Sequence, residues 1–591
     1  MAIASRIDHA RVRLRRLSGN DQLKLTVLAA AVGAAAAYGA ILFRALADLT
    51  ALLLFGAGEE FMAEAARSLP AWQVVMVPCL GGLAIGLACR YVLPKPLPQG
   101  VAEVMEAAAL RNGRMKLPVG LAAAGLSAFS IGIGGSVGRE GPIVHLGATL
   151  AAQVSRWLRF GPSFSRTLLG CGVAAAIATA FNAPIAGVFF ALELVIGHYG
   201  LGAFAPVVIA SLVGTIVVRV HIGDHPAIAI DPQAIVSFWE VPGFLLLGVV
   251  AAGAAILLMG GIALVQRLHQ MARVPDWLRP ALGGAGLGLI ALVFPEVLGV
   301  GYQATETALG AMAGQAWLLA LLVIAKAAAT ALCHGSGFAG GMFSPSLTVG
   351  ALVGGVFGSV ASAVFPDLAS PLLVYALLGM GAVAASVLGA PISTIIIIFE
   401  MTTSYGITFA LMGTVAVASL VTHALWGRSY FHWLLAERGV SLDDSRELGI
   451  LRHRRVADVL RRDVITAPAT ADLEELKRRF RLSHAPIFVV GEGQALEGSI
   501  GIGDLLDAAF SGDPPAGLTA AELAQPCPVV LRGSDDLATA FSRCRVHEEE
   551  HVPVLEDGDS RRILGEVRFS DLLRAYNQAL LEARAIEQGL R

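Results

Sequence analysis

The sequence predicts an all-α polytopic membrane protein, with two inverted-repeat halves and many tilted and broken helices, followed by a small α/β domain. Three observations predict it: the chain is strongly apolar, its apolar part repeats itself, and its composition changes abruptly near residue 436. Of its 591 residues, 55% are hydrophobic and only 15% are charged, whereas about 25% of residues are charged in a soluble domain. The net charge of −2 gives no sign of a nucleic-acid partner.

The N-terminal segment, residues 1–20, carries five arginines and lacks the short apolar core and cleavage site of a signal peptide. Lys and Arg are enriched in the cytoplasmic segments that flank membrane helices. The link after the last apolar stretch is also basic. Both termini are therefore expected in the cytoplasm, with the bacterial inner (plasma) membrane as the expected location.

Long apolar stretches follow, several close to the roughly 20 residues that a spanning helix needs. We predict one membrane half at residues 21–225 and a second at 235–438. Residues 132–148 match residues 335–351 at an offset of 203 positions (341 − 138 = 203). Asn-Ala-Pro-Ile before Glu193 likewise matches Gly-Ala-Pro-Ile before Glu400, at an offset of 207 (400 − 193 = 207). Packing glycines alone would not keep both Pro and Glu in step, so the halves are homologous.

Glycines, a short loop, a proline and an apolar helix follow one another in Gly138–Pro142 and again in Gly341–Pro345. A helix start leaves about four unpaired amide groups and carries a partial positive charge. Glycine lets the backbone approach an ion, and proline in the first turn removes no needed donor. Two such starts predict a site that holds an anion by dipoles, as discontinuous helices do in transporters.

At these residues the sequence resembles the CLC family of chloride channels and proton-coupled anion exchangers, over roughly residues 20–438. Gly-Arg-Glu-Gly-Pro at 138–142 matches the most specific motif of the family, and Gly-Met-Phe-Ser-Pro at 341–345 matches its Gly-x-Phe-x-Pro motif. The resemblance implies a voltage- or pH-gated, channel-like transport protein for chloride or a similar small anion, not an enzyme. A proton-coupled antiporter is the alternative. A homodimer in the lipid bilayer, with no required cofactor, is also implied.

By this resemblance Glu140 is the gating glutamate, whose carboxylate competes with anions. The implied anion-binding positions are Gln99, Gly100, Gly138, Arg139, Gly141, Gly341, Met342, Phe343 and Phe431. A charged side chain at membrane depth costs several kcal/mol unless it is paired or wetted, which makes Glu140 a functional hypothesis by itself. The alternative is that Glu140 pairs with Arg139 or Lys326 and only ties helices together. Lys326 either raises the local potential for anions or snorkels to the surface.

Three departures from the family pattern concern the pathway. Gln99 stands where the family has a serine, so the preferred anion is left open. Leu194 stands where exchangers carry the acid that accepts internal protons, which leaves Glu193 and His198 as a possible proton pathway. The expected pore tyrosine aligns with Phe431, although a shift of one residue would place Tyr430 there.

A basic linker, residues 439–455, leads to a charged tail that also repeats itself. Equivalent residues lie 67 positions apart (551 − 484 = 67): His484 and His551, Gly498 and Gly565, Asp504 and Asp571. Each copy has the pattern helix, strand, turn, strand, helix. We predict copies at 456–510 and 518–576, with a C-terminal helix at 577–591.

The two copies resemble a pair of CBS domains, the usual companion of larger CLC members. This resemblance implies a cleft for an adenine nucleotide in which Asp504 and Asp571 contact the ribose. The alternative, in which each aspartate only caps its own helix, stays open.

Two sequence patterns also occur in the active sites of enzymes. Gly134-Gly-Ser-Val-Gly138 fits the hydrolase pattern G-x-S-x-G, but it belongs to the membrane repeat. His547-Glu-Glu-Glu-His551 fits a zinc protease pattern, but it falls at a helix-to-strand junction. An intramembrane hydrolase is therefore a remote alternative, and neither catalytic nor metal residues are assigned.

Overall fold

The computed structural model describes residues 21–91, 100–197, 199–224, 235–302, 305, 310, 315–440, 454–483, 485–510, 518–547, 549–558 and 561–587. It separates into two compact units, Met1–Ser441 and Leu442–Arg591. The N-terminal segment 1–20, Gln99, His198, His484 and most of the predicted linker lie outside the described residues.

The first unit is helical, and many of its helices begin or end where Gly or Pro interrupts the apolar sequence. The α-helices are α1 Asp21–Phe55, α2 Met62–Ser68, α3 Ala71–Tyr91, α4 Val101–Leu110, α5 Leu117–Gly132, α6 Glu140–Trp157, α7 Pro162–Phe181, α8 Pro184–Phe190, α9 Leu201–His221, α10 Val241–Met271, α11 Arg279–Ala291, α12 Ala316–Ser336, α13 Phe343–Val364, α14 Leu372–Leu388, α15 Pro391–Thr402, α16 Tyr405–Trp426 and α17 Tyr430–Glu437. A π-helical turn, Ala191–Ile196, continues α8.

Within the described residues, eight helical stretches are long and apolar enough to cross a membrane, and four shorter apolar helices accompany them. The predicted polytopic helical fold is thus confirmed. The short helices arise from local sequence. Asn182 and Gly389, at equivalent positions of the two halves, end α7 and α14 in the left-handed conformation. An Ala-Pro step follows each of them, and proline then starts the next helix without loss of a donor.

The two halves exchange equivalent contacts between α3 and α11. Gly82 packs against the carbonyl group of Pro280, and Gly284 packs against that of Pro78. The partners are related by one offset (280 − 78 = 202 and 284 − 82 = 202). Such a swap is what a two-fold axis between the halves produces, in agreement with the inverted repeat.

The second unit contains two three-stranded sheets, ordered β1-β2-β3 and β4-β5-β6. In each sheet the first pair of strands is parallel and the second pair is antiparallel. The strands are β1 Thr466–Pro468, β2 Ile487–Val490, β3 Leu496–Ile500, β4 Leu531–Arg532, β5 His551–Leu555 and β6 Ile563–Arg568. The helices are α18 Leu473–Ser483, α19 Ile502–Phe510, α20 Ala520–Leu523, α21 Leu537–His547 and α22 Phe569–Glu587.

The two copies in the tail exchange their leading segments. Val456, at the start of the first copy, is fully buried in the core of the second copy beside Val552. Ala520, at the start of the second copy, is buried in the first core beside Ile487. The sequence boundaries therefore do not coincide with the two cores. The separate C-terminal helix predicted from residue 577 is also wrong, because α22 runs without a break through that position.

We predict that Gly284→Ala and Gly82→Ala each lower the thermal unfolding midpoint in detergent by several degrees. At either position a methyl group would overlap a backbone carbonyl of the other half, and forced overlap in a packed core costs about 1–3 kcal/mol. Gly253→Ala in α10 is the matched control, because nothing lies within 4 Å of its added carbon. An unchanged midpoint in all three variants would contradict the close α3–α11 contact.

Candidate functional site

Two helix starts meet through a backbone pair between the halves. The amide of Gly138 donates to the carbonyl of Gly341 at 2.6 Å, and the amide of Gly341 donates to the carbonyl of Gly138 at 2.7 Å. These residues occupy equivalent positions in the two halves, at the offset of 203. The same two-fold symmetry that relates the α3–α11 contacts therefore relates Gly138 to Gly341. The pair brings the first turns of α6 and α13 together.

The two helix starts can come this close because glycines stand at the contact. The start of α4 lies beside them as a third helix start. A Cβ atom at Gly141 would lie 2.9 Å from the Cα of Gly341, and one at Gly100 would lie 3.4 Å from the carbonyl carbon of Gly141. Gly100 precedes α4 with φ of 56°, a conformation that disfavours other residues. The starts of α4, α6 and α13 have no side-chain cap. Their unpaired amides therefore surround one region with partial positive charge.

Glu140 lies in this region and is only 1% exposed. The Tyr302 hydroxyl donates to Oε1 at 3.0 Å, and the Ser344 hydroxyl donates to Oε2. The Arg139 guanidinium is more distant, with its Nε 3.9 Å from Oε1. Two hydroxyls of the second half thus hold the acid of the first half. Of the two pairings proposed as the alternative, only the long contact with Arg139 is observed.

Arg139 is directed mainly toward another acid. Its guanidinium lies 3.5 Å from Glu59 and 5.6 Å from the ring centroid of Tyr302, and both Arg139 and Glu59 are buried. A buried arginine is tolerable when it is paired in this way. Glu59 is thus the nearer of the two acids to the Arg139 guanidinium.

Lys326 is 1% exposed, so the snorkelling alternative is wrong. Its ammonium group donates to the carbonyls of Val297 at 2.9 Å and Gly299 at 3.0 Å. It therefore fastens the segment that precedes Tyr302. Sequence reasoning missed Tyr302 because nothing local marks it. Ser344 lies inside the motif at 341–345, which was its available signal.

Aromatic side chains line the same neighbourhood. Phe343 is buried with its ring centroid 5.0 Å from that of Phe181. Tyr430 and Phe431 are both buried at the start of α17. The Tyr430 ring contacts His334 at 6.1 Å between centroids, and His334 Nε2 lies 3.2 Å from the Gly341 carbonyl. His334 thereby connects Tyr430 to the glycine pair.

Glu193 and Glu400 cap helices of opposite halves. Glu193 accepts hydrogen bonds from the amides of Ile392 at 3.1 Å and Ser393 at 2.8 Å, at the start of α15. Glu400 accepts from the corresponding amides at the start of α8, at 3.0 and 2.7 Å. Capping therefore occupies both acids symmetrically. Leu194, the next residue, is buried. Two other predicted site residues, Gln99 of the anion site and His198 of the proton pathway, lie outside the described residues.

The tail aspartates differ from one another. Asp504 accepts from the Gly501 amide at 2.8 Å and so caps its own helix. Asp571 accepts from Arg461 Nε at 2.6 Å and Nη2 at 3.1 Å. The hydrogen bonds from Arg461 hold the pKa of the Asp571 carboxyl below its ordinary value. Beside this pair lies a cavity lined by Arg461, Arg462, Asp463, Val464, Ile465, Ala485, Glu566 and Arg568.

The residues of the two enzyme patterns lie in different parts of the structure. The Ser136 hydroxyl lies 3.0 Å from that of Thr330. His547 ends α21 and His551 begins β5, so the zinc protease pattern does not lie on one helix. Within the described residues, no cluster of three His, Cys, Asp or Glu side chains is placed to hold a metal ion.

Comparison with known proteins gives the same picture. The family model for voltage-gated chloride channels matches residues 81–423, and that for the CBS domain matches 456–511. A putative chloride channel protein ClcB-like of Ralstonia nicotianae is 36% identical over 70% of this chain and 96% of its own length. An H(+)/Cl(-) exchange transporter ClcA of Vibrio cholerae is 33% identical over 52% of this chain and 67% of its own. A eukaryotic CLC transporter shares the fold, with a TM-score of 0.61 at 19% identity over 93% of this chain and 98% of that one.

We predict that Glu193→Gln and Glu400→Gln each destabilise the protein by about 1–3 kcal/mol, because each places an amide donor against the amides of a helix start. Unfolding in detergent measures this, with exposed Glu64→Gln as the control. If Glu193→Gln instead abolished proton-driven flux while Glu400→Gln did not, capping would not be the main function of Glu193.

Proposed function

The chain belongs to the CLC family, whose model describes voltage-gated chloride channels, and from that premise we propose that this chloride transport protein is channel-like and gated by Glu140. The observation that carries the proposal is the position of Glu140. A buried carboxylate occupies the meeting point of three uncapped helix starts, where a permeating anion would be stabilised. The gate is thus an anion mimic built into the wall of the pathway.

The mechanism follows from the charge of that carboxylate. Ionised, Glu140 is stabilised by the helix starts and by its two hydroxyl donors. Protonated, it loses most of this attraction and leaves the site. An anion then enters and is held by amide dipoles alone, which bind it without a fixed charge that would slow its release.

A proton-coupled antiporter is the second candidate, since one of the relatives is named an H(+)/Cl(-) exchange transporter. Two observations favour the channel-like function. Leu194, which cannot take a proton, stands where exchangers of the family usually carry the acid that accepts internal protons. The neighbouring Glu193 accepts hydrogen bonds at a helix start. An inner proton route from these residues is therefore not supported.

We also propose a homodimer with one pathway per subunit, embedded in the bacterial inner membrane with both termini in the cytoplasm. The resemblance to the family supports the dimer. The basic segments before α1 and after α17 support the orientation, because such segments stay on the cytoplasmic side.

For the tail we propose that the cavity beside Asp571 binds an adenine nucleotide. Three arginines line it together with Asp463 and Glu566, and arginine side chains suit phosphate groups. Asp571 lies next to it, and hydrogen bonds from Arg461 hold the pKa of its carboxyl below the ordinary value. Its carboxylate is thus able to accept hydrogen bonds from ribose hydroxyls.

Chloride flux from proteoliposomes is expected to rise as the external pH falls, because protonation of Glu140 opens the pathway. Glu140→Gln is expected to conduct at every pH, with less than a twofold change between pH 4.5 and 7.5. Flux measured with a chloride electrode tests this, and Glu64→Gln is the control.

A Glu140→Gln variant that kept the wild-type pH dependence would exclude the gating function. The reversal potential under opposed proton and chloride gradients separates the two candidates. A potential that follows chloride alone supports the channel-like function, and one that shifts with pH means coupled antiport.

We predict that the full-length protein in detergent binds ATP and that Asp571→Asn weakens binding about tenfold, equivalent to roughly 1.4 kcal/mol. Asp504→Asn, at the equivalent position of the first copy, is expected to leave affinity unchanged because Asp504 caps its own helix. Isothermal titration calorimetry measures both. No binding heat, or equal losses in the two variants, would contradict the site.

A further inference from the structure

Glu140 has a hydroxyl donor on each of its carboxylate oxygens, and the two donors come from different segments. Tyr302 donates to Oε1 at 3.0 Å and Ser344 donates to Oε2. Ser344 belongs to the first turn of α13, whereas Tyr302 follows a Gly-Val-Gly segment after α11. A carboxylate gains most from hydrogen bonds in its charged form, so both contacts favour the ionised acid.

The segment that carries Tyr302 is fastened at several points. Lys326 donates to the carbonyls of Val297 and Gly299, at 2.9 and 3.0 Å. The Gly299 amide donates to the Gly134 carbonyl at 3.0 Å. Gly299 and Gly301 both have positive φ, at 60° and 86°, so the backbone turns at both residues in a conformation that favours glycine. Tyr302 is therefore presented to Glu140 by a fixed backbone.

The charged groups around Glu140 are less directly engaged than the hydroxyls. On its own helix start, Arg139 Nε is 3.9 Å away and the guanidinium is shared with Glu59. From α12, Lys326 is bound to backbone carbonyls. Among the described residues, the contacts of hydrogen-bond length to the carboxylate are those of Tyr302 and Ser344.

We infer that Tyr302 and Ser344 form a two-hydroxyl latch that holds the ionised Glu140 carboxylate in the closed position and so sets the external pH at which the pathway opens. This inference rests on the proposed gating function. Tyr302 and Ser344 are positioning residues, because they act on the anion pathway through Glu140.

The test is the pH dependence of chloride flux in proteoliposomes of full-length protein. Tyr302→Phe removes one donor and keeps the ring, so closing becomes weaker and the pH of half-maximal flux rises. A hydrogen bond to a charged group corresponds to a rise of about one pH unit. Ser344→Ala is expected to move the midpoint in the same direction, which keeps the test decisive if Tyr302→Phe does not fold.

Matched controls lie elsewhere in the chain. Tyr375→Phe removes a tyrosine hydroxyl that donates to the buried Glu240 at 2.7 Å, and Ser346→Ala removes a hydroxyl two residues from Ser344 that bonds backbone carbonyls. Both are expected to leave the pH midpoint unchanged. In a Glu140→Gln background, Tyr302→Phe is expected to change flux by less than twofold at any pH.

The latch is overturned if Glu140→Gln abolishes the pH dependence but neither Tyr302→Phe nor Ser344→Ala moves the midpoint. It is equally overturned if Tyr302→Phe changes flux as strongly in the Glu140→Gln background as in the wild type, because it would then act on the anion directly. If Glu140→Gln itself retains the pH dependence, the gating function fails first. The two failures are therefore distinguishable.

Discussion

A charge within a membrane protein needs donors to replace the water it loses. In the membrane unit, helix-start amides donate to Glu193 and Glu400, and two hydroxyls donate to Glu140 where three helix starts meet. Three starts come into contact because Gly100, Gly141 and Gly341 have no side chains to keep their backbones apart. The paired amides of Gly138 and Gly341 fix two of these starts to each other. A larger residue at any of these positions would force the helix starts apart.

The same two-fold relation recurs across the membrane unit. Gly82 and Gly284 exchange close contacts with the opposite half, and Glu193 and Glu400 exchange helix caps. These equivalent contacts make a frame in which neither half is complete alone. Function departs from this symmetry: the counterpart of Glu140 is Phe343 (140 + 203 = 343), so the acid belongs to one half only.

Two hydroxyl groups, those of Tyr302 and Ser344, contact the Glu140 carboxylate directly. Both hydroxyls therefore donate their hydrogen bonds to the Glu140 carboxylate itself. Since such bonds favour its ionised form, they link the chemistry of these two residues to the pH at which transport begins.

The sequence by itself determined the membrane class, the two halves and the glycine-rich helix starts, and it singled out Glu140 as a candidate site residue. Hydropathy, repetition and motif spacing can all be read along the chain without knowledge of its tertiary contacts. The sequence also predicted the paired α/β copies of the tail, although their cores exchange leading segments such as Val456 and Ala520. Only the tertiary structure decided which groups face Glu140, since Tyr302 lies 162 residues away in the chain. Burial of Lys326 and the reciprocal caps of Glu193 and Glu400 also depend on long-range packing, which no local pattern encodes.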